Sequence, residues 1–168
     1  MVMVNYRSFG LSQGTISEKT MFADALEAYD KLIINPEIDA TKIIVIGRSI
    51  GTGVATYLSS QRKTTATILI TPYENMIDVA FEKYPFVPIS ILIKHRFESD
   101  KYAPTIASPM LALISANDKV IPKHHAYKLK EAWKGKTEAL EVNEDHNSIM
   151  HNEAVWKKIE GFVRENIQ

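Results

Sequence analysis

The sequence predicts a single α/β domain over residues 1–168, built as a mainly parallel sheet flanked by helices in three layers. Two observations lead to this prediction. Short aliphatic runs without polar alternation, such as residues 66–71 and 109–115, are typical of strands buried on both faces. These runs alternate with amphipathic segments of helical period, as in parallel sheets that helices cover on both sides. A length of 168 residues suits one domain, and no repeat or interdomain linker divides it.

The predicted elements follow one another with short connections, except for the segment from about 72 to 107. In chain order they are a strand at 2–4, a helix at about 18–34, a strand at 42–47, a helix at 50–61, strands at 66–71 and 109–115, a helix at 123–135, a strand at 136–142 and a helix at 152–166. The first helix has two candidate N-caps, because Thr15 with Glu18 three residues on resembles a capping box and Ser17 is equally well placed. Gly135 is expected to end the helix before it.

The composition excludes several classes of function. Lysine and arginine number 20, and so do aspartate and glutamate, so nothing suggests nucleic acid or an anionic membrane as a partner. The chain has no cysteine, which excludes disulfides, thiolate metal sites and cysteine nucleophiles. No run approaches the roughly 18 apolar residues of a membrane span, and no signal peptide opens the sequence. The default expectation is therefore a cytoplasmic protein.

One pentapeptide carries the strongest indication of chemistry. Gly47, Arg48, Ser49, Ile50 and Gly51 form a G-x-S-x-G sequence between a predicted strand and a predicted helix, which is the setting of a nucleophile elbow. The two glycines let the strand and the helix approach closely, and the turn raises the serine above the sheet edge. The backbone N–H of Ile50, at the helix start, is expected to point towards an oxyanion on the substrate. The alternative is a tight βα turn in which Ser49 only caps the helix.

A serine nucleophile needs a base, and the base needs a carboxylate to orient it. In hydrolases with this elbow the order along the chain is serine, then aspartate or glutamate, then histidine, each after a later strand. Asp118 follows the strand predicted at 109–115, and His146 follows the strand predicted at 136–142. Taken singly, Asp118 is consistent with a turn or capping residue and His146 with a solvated loop histidine. Together and in this order, Ser49, Asp118 and His146 favour a catalytic set.

Other acidic and histidine side chains fit the arrangement less well by order or position: His124, His125, His151, Asp145, Asp78 and Asp100. His124 and His125 fall in the first turn of a predicted helix and are expected at the surface. His151 could be the base only if the last loop is displaced, and Asp145 adjoins His146 too closely to hold its imidazole. No His, Asp or Glu group shows metal-ligand spacing, so neither a metal nor another cofactor is expected.

Four motifs in order give the chain a resemblance to the α/β-hydrolase superfamily that covers almost the whole sequence. The motifs are residues 5–18 (NYRSFGLSQGTISE), 47–53 (GRSIGTG), 116–122 (ANDKVIP) and 145–148 (DHNS). The chain is most similar to the single-domain serine hydrolase branch with depalmitoylase-like and serine aminopeptidase-like members. In the first motif, Ser8 and Phe9 replace a glycine and a tyrosine of that branch's loop. The resemblance implies a serine hydrolase that cleaves a small carboxylic ester or thioester without a cofactor.

The same resemblance implies that part of the family's sheet is missing. Family members place three strands before the one predicted at 2–4, and a His-Gly loop after the third donates a second oxyanion N–H. No His-Gly pair occurs in this sequence. We therefore expect an N-terminally truncated sheet whose exposed strand edge supports a homo-oligomer, and an impaired activity. The alternative function is a non-catalytic, hydrolase-derived binding module or an inactive fragment.

The segment at about 72–107 occupies the place where the family inserts its cap and substrate surface. Within it, residues 84–93 (YPFVPISILI) are rich in aromatic and aliphatic side chains and contain Pro85 and Pro88. Two interpretations remain open: an acyl-binding wall or small lid, or core packed under a loop.

Overall fold

The computed structural model describes residues 1–167 and contains one four-stranded sheet in which every strand runs parallel to its neighbours. The strands are β1 (Ile44–Arg48), β2 (Ala66–Ile70), β3 (Met110–Ser115) and β4 (Thr137–Val142). Their order across the sheet equals their order in the sequence. Because all strands are parallel, their carboxyl ends lie at one edge of the sheet, where the following loops meet.

Helices cover both faces of this sheet. They are α1 (Glu18–Ile33), α2 (Ile50–Gln61), α3 (Met76–Lys83), α4 (Ile89–Leu92), α5 (Ser99–Tyr102), α6 (Lys123–Ala132) and α7 (Glu153–Ile167). Helix α7 packs on β3 and β4 from one side, and α2 and α6 pack on the other side. The predicted three-layer α/β/α fold class is therefore confirmed.

The two central strands, β2 and β3, contribute side chains to the apolar clusters on both faces of the sheet. Every residue of β2 and β3 is buried, which explains why their sequences lack polar alternation. Ile68 and Leu111 join Phe162 of α7 in one apolar cluster. Leu69 joins Leu129 of α6 in the cluster on the opposite face. Full burial of such a side chain stabilises the fold by about 1.5–3 kcal/mol.

Ser17, rather than Thr15, is the N-cap of helix α1. The Ser17 Oγ accepts a hydrogen bond from the Thr20 N–H at 3.1 Å, and the Thr20 Oγ1 accepts one from the Ser17 N–H at 2.9 Å. Helix α1 then packs on α2, where the Phe22 ring stacks on the Tyr57 ring with centroids 4.0 Å apart. This contact fixes α1 beside α2.

The prediction of a strand at residues 2–4 is wrong. Residues 1–6 form no regular secondary structure, and residues 2–4 are exposed. A strand needs a neighbour for its backbone N–H and C=O groups, and within residues 1–167 β1 pairs only with β2. Strand β1 therefore lies at an edge of the sheet, and the Ile46 side chain on it is 51% exposed.

Gly135 does not end helix α6, which stops at Ala132 with Trp133 as its C-cap. The Gly135 N–H instead donates to the Ile106 carbonyl at 2.9 Å. A Cβ at Gly135 would come within 2.4 Å of the Ser108 carbonyl oxygen. The glycine is needed because two backbone segments cross here, which the sequence pattern alone does not distinguish from a helix stop.

The segment at 72–107 contains α3, α4 and α5, joined by loops. Six of its large apolar side chains between positions 81 and 92 are exposed: Phe81, Tyr84, Phe86, Val87, Ile91 and Leu92. None of residues 84–93 belongs to a buried apolar cluster, so the interpretation as core under a loop is wrong. A role as an acyl-binding wall or lid stays a prediction. Across residues 1–167, the structure has no helix with the length and hydropathy that a membrane span requires.

Candidate active site

Ser49 occupies a strained turn between β1 and α2. Its backbone has φ 50° and ψ −123°, in a region that residues with a Cβ rarely adopt. The Ser49 N–H donates to the Ile70 carbonyl of β2 at 2.9 Å, which ties the turn to the neighbouring strand. The Ser49 side chain makes no capping hydrogen bond to α2. This geometry disagrees with the simple helix-cap interpretation, because the hydroxyl is directed elsewhere.

The glycine at position 47 permits the close contact between strand and helix. A Cβ at Gly47 would lie 2.4 Å from the Gly51 carbonyl oxygen and 2.7 Å from the Ala55 Cβ. At Gly51 the nearest atom to an added Cβ is the Tyr6 hydroxyl, at 3.2 Å. Close approach therefore requires glycine at position 47, whereas Gly51 keeps space beside Tyr6 of the 5–14 loop.

The structure brings Ser49, His146 and Asp118 into one hydrogen-bonded chain. The His146 Nε2 lies 2.9 Å from the Ser49 Oγ, and the His146 Nδ1 lies 2.7 Å from the Asp118 Oδ2. The carboxylate accepts from the imidazole, so Nδ1 carries the proton and the neutral ring offers its Nε2 lone pair to the serine hydroxyl. Asp118 and His146 are buried, and Ser49 remains partly open to solvent.

The second oxygen of Asp118 fixes the carboxylate in the loop after β3. Its Oδ1 accepts hydrogen bonds from the N–H groups of Val120 and Ile121, both at 2.8 Å. The rotamer is thereby locked with Oδ2 facing the imidazole. The alternative role of Asp118 as a turn-capping acid is thus compatible with holding His146.

The loop after β4 fixes His146 through its backbone. The Ser115 hydroxyl donates to the Asp145 carbonyl at 3.0 Å, and the Arg48 Nη2 donates to the His146 carbonyl at 3.1 Å. The Asp145 carboxylate accepts from the Ser148 N–H at 2.8 Å. Backbone hydrogen bonds, that from Ser148 foremost, lower the pKa of the Asp145 carboxyl. Asp145 therefore shapes the turn instead of orienting the imidazole.

Ile50 is the first residue of helix α2, as predicted. Its N–H has no carbonyl one turn earlier within the helix and lies at the positive end of the helix dipole. This is the position expected of an oxyanion donor, and its role stays a prediction.

The other side chains that were candidates for the base or the acid make no hydrogen bond to Ser49, His146 or Asp118. His151 is exposed at the end of a 3₁₀ helix, Ser148–His151. Asp78 and Asp100 both accept hydrogen bonds from the Asn75 amide. Burial raises the pKa of the Asp100 carboxyl.

The expectation that His125 lies at the surface is wrong. The residue is 1% exposed, and its Nδ1 lies 2.9 and 2.8 Å from the two oxygens of Glu74. Burial raises the pKa of the Glu74 carboxyl, but hydrogen bonds from His125 and Lys128 outweigh this and hold it below its ordinary value. His124 is exposed as expected, yet its ring meets Glu82 and His125. Neighbouring histidines in the sequence were the only available signal for this cluster, because Glu74 and Glu82 are distant along the chain.

No protein-family model matches the chain. Among curated proteins, it is 28% identical over 160 residues to the alpha/beta hydrolase domain-containing protein aho-3 of Caenorhabditis elegans, covering 95% of this chain and 47% of that protein. It is 27% identical over 168 residues to the alpha/beta hydrolase domain-containing protein 17C of Mus musculus, covering 97% of this chain and 50% of that protein. The chain thus spans about half the length of these relatives.

Solved structures give the same architecture. The Pyrococcus furiosus esterase Pf2001 matches with a TM-score of 0.76 and 19% identity, covering 98% of this chain and 70% of that chain. The acetyl xylan esterase of Paenibacillus sp. R4 matches with a TM-score of 0.69 and 21% identity, covering 85% of this chain and 52% of that chain. Together with the sequence relatives, these matches give the chain an α/β-hydrolase superfamily fold.

Proposed function

We propose that this chain is a serine hydrolase that cleaves a carboxylic ester or thioester through an acyl-enzyme on Ser49. The observation that carries the proposal is the hydrogen-bonded chain from Asp118 through His146 to a serine held in a strained turn. The relatives named as alpha/beta hydrolase domain-containing proteins and the esterase neighbours support the same reaction class.

In the first step the Ser49 oxygen attacks the substrate carbonyl carbon while its proton passes to the His146 Nε2. The imidazolium is stabilised by Asp118, whose Oδ2 already accepts from Nδ1 at 2.7 Å. When the tetrahedral intermediate collapses, the bond to the leaving oxygen or sulfur breaks. The Nε2 proton then goes to that leaving group, and an acyl ester on Ser49 remains.

Hydrolysis repeats these steps with water as the nucleophile. His146 takes a proton from the water as it attacks the acyl carbonyl, and returns it to the Ser49 oxygen when the acid leaves. The Ile50 N–H at the start of α2 is proposed to bind the oxyanion in both steps. No cofactor takes part in this scheme.

The rate is expected to depend on how many oxyanion donors the chain provides. In the α/β-hydrolase branch that the chain resembles, a His-Gly loop donates the second N–H to the oxyanion. This sequence contains no His-Gly pair. Loss of one such donor typically lowers kcat by about 10²–10³. The chain by itself is therefore proposed to turn over slowly, while still forming the acyl-enzyme.

The segment at about 72–107, the cap segment, is proposed to contact the acyl chain through its exposed apolar side chains. This segment presents Phe86, Ile91 and Leu92 to solvent, with exposures of 99%, 82% and 60%. Burial of such side chains against a hydrocarbon chain would favour long acyl groups over acetate by about 0.8 kcal/mol per buried methylene.

The test is hydrolysis of p-nitrophenyl esters from acetate to palmitate by the wild-type chain, by Ser49→Ala and by the matched control His151→Ala. We expect activity in the wild type and the control and a background rate in Ser49→Ala. The acyl-chain optimum would then indicate what the cap segment contacts. Equal rates in all three proteins would contradict the proposal and favour the alternative of a non-catalytic binding module.

A further inference from the structure

Three side chains outside the proposed catalytic chain converge between α3 and α6. Glu82 lies near the end of α3, and His124 and His125 lie in the first turn of α6. One ligand atom from each of them lies within 4.8 Å of the others. The Glu82 Oε2 is 2.8 Å from the His124 Nε2 and 3.2 Å from the His125 Nε2.

The protonation of His125 is constrained by a buried acid. Both oxygens of Glu74 lie within 2.9 Å of the His125 Nδ1, so Nδ1 carries a proton and donates it to this carboxylate. In the neutral ring, the opposite nitrogen then carries a lone pair.

That opposite nitrogen is a buried polar atom without a hydrogen-bond partner. The His125 Nε2 is shielded from solvent and makes no hydrogen bond among the described residues. It faces the Glu82 carboxylate, so in the neutral ring an imidazole lone pair and a carboxylate oxygen meet at 3.2 Å. Two acceptors at this distance repel each other unless a proton or a cation lies between them.

A metal ion accounts for three converging groups, whereas a proton between His125 and Glu82 accounts for only two of them. The His124 Nε2 approaches the same Glu82 oxygen, and the His124 and His125 rings have centroids 4.2 Å apart. In tetrahedral zinc sites, ligand atoms about 2.0–2.2 Å from the metal lie roughly 3.3 Å from one another. The His125 Nε2 and the Glu82 Oε2 are 3.2 Å apart, and the His124 Nε2 would move outward from its 2.8 Å contact to bind the same ion. Two imidazoles and one carboxylate also suit zinc, copper or nickel better than calcium or magnesium.

We propose that His124, His125 and Glu82 bind one divalent transition-metal ion of the zinc type. Glu74 acts as a positioning residue, because its hydrogen bond to Nδ1 fixes the His125 ring and makes Nε2 the ligand atom. The side chains of Glu82 and His124 are 47% and 49% exposed, so the ion has an entry path and a place for a water ligand. This inference goes beyond the proposed hydrolysis and does not depend on it.

Bound metal would join the cap segment to the loop that carries Asp118. Glu82 belongs to α3 of that segment, whereas α6 begins directly after the turn in which Asp118 accepts from Val120 and Ile121. The ion would therefore limit the motion of α3 relative to the proposed active site. Its effect is structural in this scheme, and no bond of the substrate is altered at the metal.

The experiment measures Zn²⁺ binding by titration calorimetry after chelator treatment and dialysis of the chain. Wild type is compared with Glu82→Gln and His124→Asn, which change half-exposed ligands, and with His151→Asn as a control histidine. We expect one Zn²⁺ per wild-type and control chain, with affinity weakened by more than about tenfold in both ligand variants. Ca²⁺ at the same concentration should not bind.

A thermal melt provides a second readout that does not use the assay of hydrolysis. At a free Zn²⁺ concentration about 100 times the Kd, the wild-type Tm should rise by about 5–10 °C. The same addition should move the Tm of the ligand variants by much less. Absence of binding to the wild type, or equal binding to wild type and both ligand variants, would overturn the proposal.

Discussion

At the scale of single residues, the backbone of Ser49 and the partners of His146 determine what the site can do. A φ of 50° at a serine costs of order 1–3 kcal/mol, which the hydrogen bond to Ile70 and the packing of α2 must offset. In this conformation the Ser49 hydroxyl points to the His146 imidazole and not to the N-terminus of α2. The position of the imidazole also depends on residues that hydrogen-bond to the backbone of the loop that carries His146.

Arg48 is such a positioning residue. Its guanidinium donates to the His146 carbonyl at 3.1 Å, so Arg48→Ala should let the histidine loop move. Because small displacements of a catalytic group are costly, we expect kcat to fall by about tenfold with little change in KM. Steady-state kinetics of the ester assay measure both quantities.

Arg48→Lys is the matched control, since one donor is kept and part of the activity should return. The arginine is exposed, so the melting temperature should be the same in all three proteins. If the variant with lower activity also has a lower Tm than the wild type, the loss of activity reflects folding and counts against the positioning role.

At the scale of elements, the contact between β1 and α2 is the least tolerant of change. In Gly47→Ala the new Cβ would meet the Gly51 carbonyl and the Ala55 side chain below 3 Å. Overpacking of this kind typically costs about 1–3 kcal/mol, which corresponds to a Tm lower by about 2–12 °C. Thermal unfolding monitored by circular dichroism tests this expectation.

Gly161→Ala is the control for the glycine change. This glycine lies within α7, and an added Cβ meets nothing within 4 Å. We expect stabilisation by about 0.5–1 kcal/mol, because alanine is the better helix former. If both substitutions shift the Tm in the same direction by the same amount, close packing at position 47 is not the cause.

The ion pair between Arg7 and Asp24 joins the 5–14 loop to α1. Two hydrogen bonds of 2.8 and 2.7 Å connect the groups, and the guanidinium lowers the pKa of the Asp24 carboxyl. The pair therefore contributes stability above the ordinary aspartate pKa of about 4 and loses it as pH falls through the lower folded-state value. Because Arg7 is partly exposed, Asp24→Asn should lower the Tm by no more than about 4 °C at pH 7.

The difference in Tm between wild type and Asp24→Asn should shrink as the pH is lowered below about 4. Glu27→Gln, which breaks an exposed pair with Lys31 on the same helix, is the control and should have a smaller effect at either pH. A Tm difference that stays constant down to pH 2 would contradict the assignment to an ionised Asp24.

At the scale of the whole molecule, the open edge at β1 is the feature that distinguishes this chain from a closed, fully covered sheet. In the described residues β1 pairs on one side only, and Ile46 is half exposed. Unpaired edges with apolar side chains favour pairing with another chain. We expect concentration-dependent self-association, reduced in Ile46→Lys because a charge on an edge strand opposes pairing.

Sedimentation velocity over a range of protein concentrations tests this expectation. Phe86→Lys serves as the comparison, because it also places a charge at an exposed apolar position but lies in the cap segment. If wild type and both variants are monomeric at every concentration, the edge does not mediate association.

The α/β class could be predicted from the sequence, and so could the meeting of Ser49, Asp118 and His146, whose catalytic roles stay a prediction. Buried strands lack the alternation of polar and apolar residues, which identified them. Each of the three residues follows a strand, so parallel pairing alone brings them to the carboxyl-terminal end of the sheet. Strand 2–4 could not be judged in this way, because a strand depends on a partner that the local pattern does not reveal. The cluster of Glu82, His124 and His125, with Glu74 behind it, was missed because the glutamates lie far from the histidines along the chain and meet them only in the folded structure.

The measurement that tests the central claim most directly is covalent labelling of Ser49 by a p-nitrophenyl phosphonate, followed by intact-mass and peptide mass spectrometry. Labelling depends on the nucleophile and its base and does not require turnover. We predict one adduct per chain on the peptide that contains Ser49, and none in Ser49→Ala. Labelling that is absent from the wild type, or equal in wild type and Ser49→Ala, would contradict the assignment of Ser49 as an activated nucleophile.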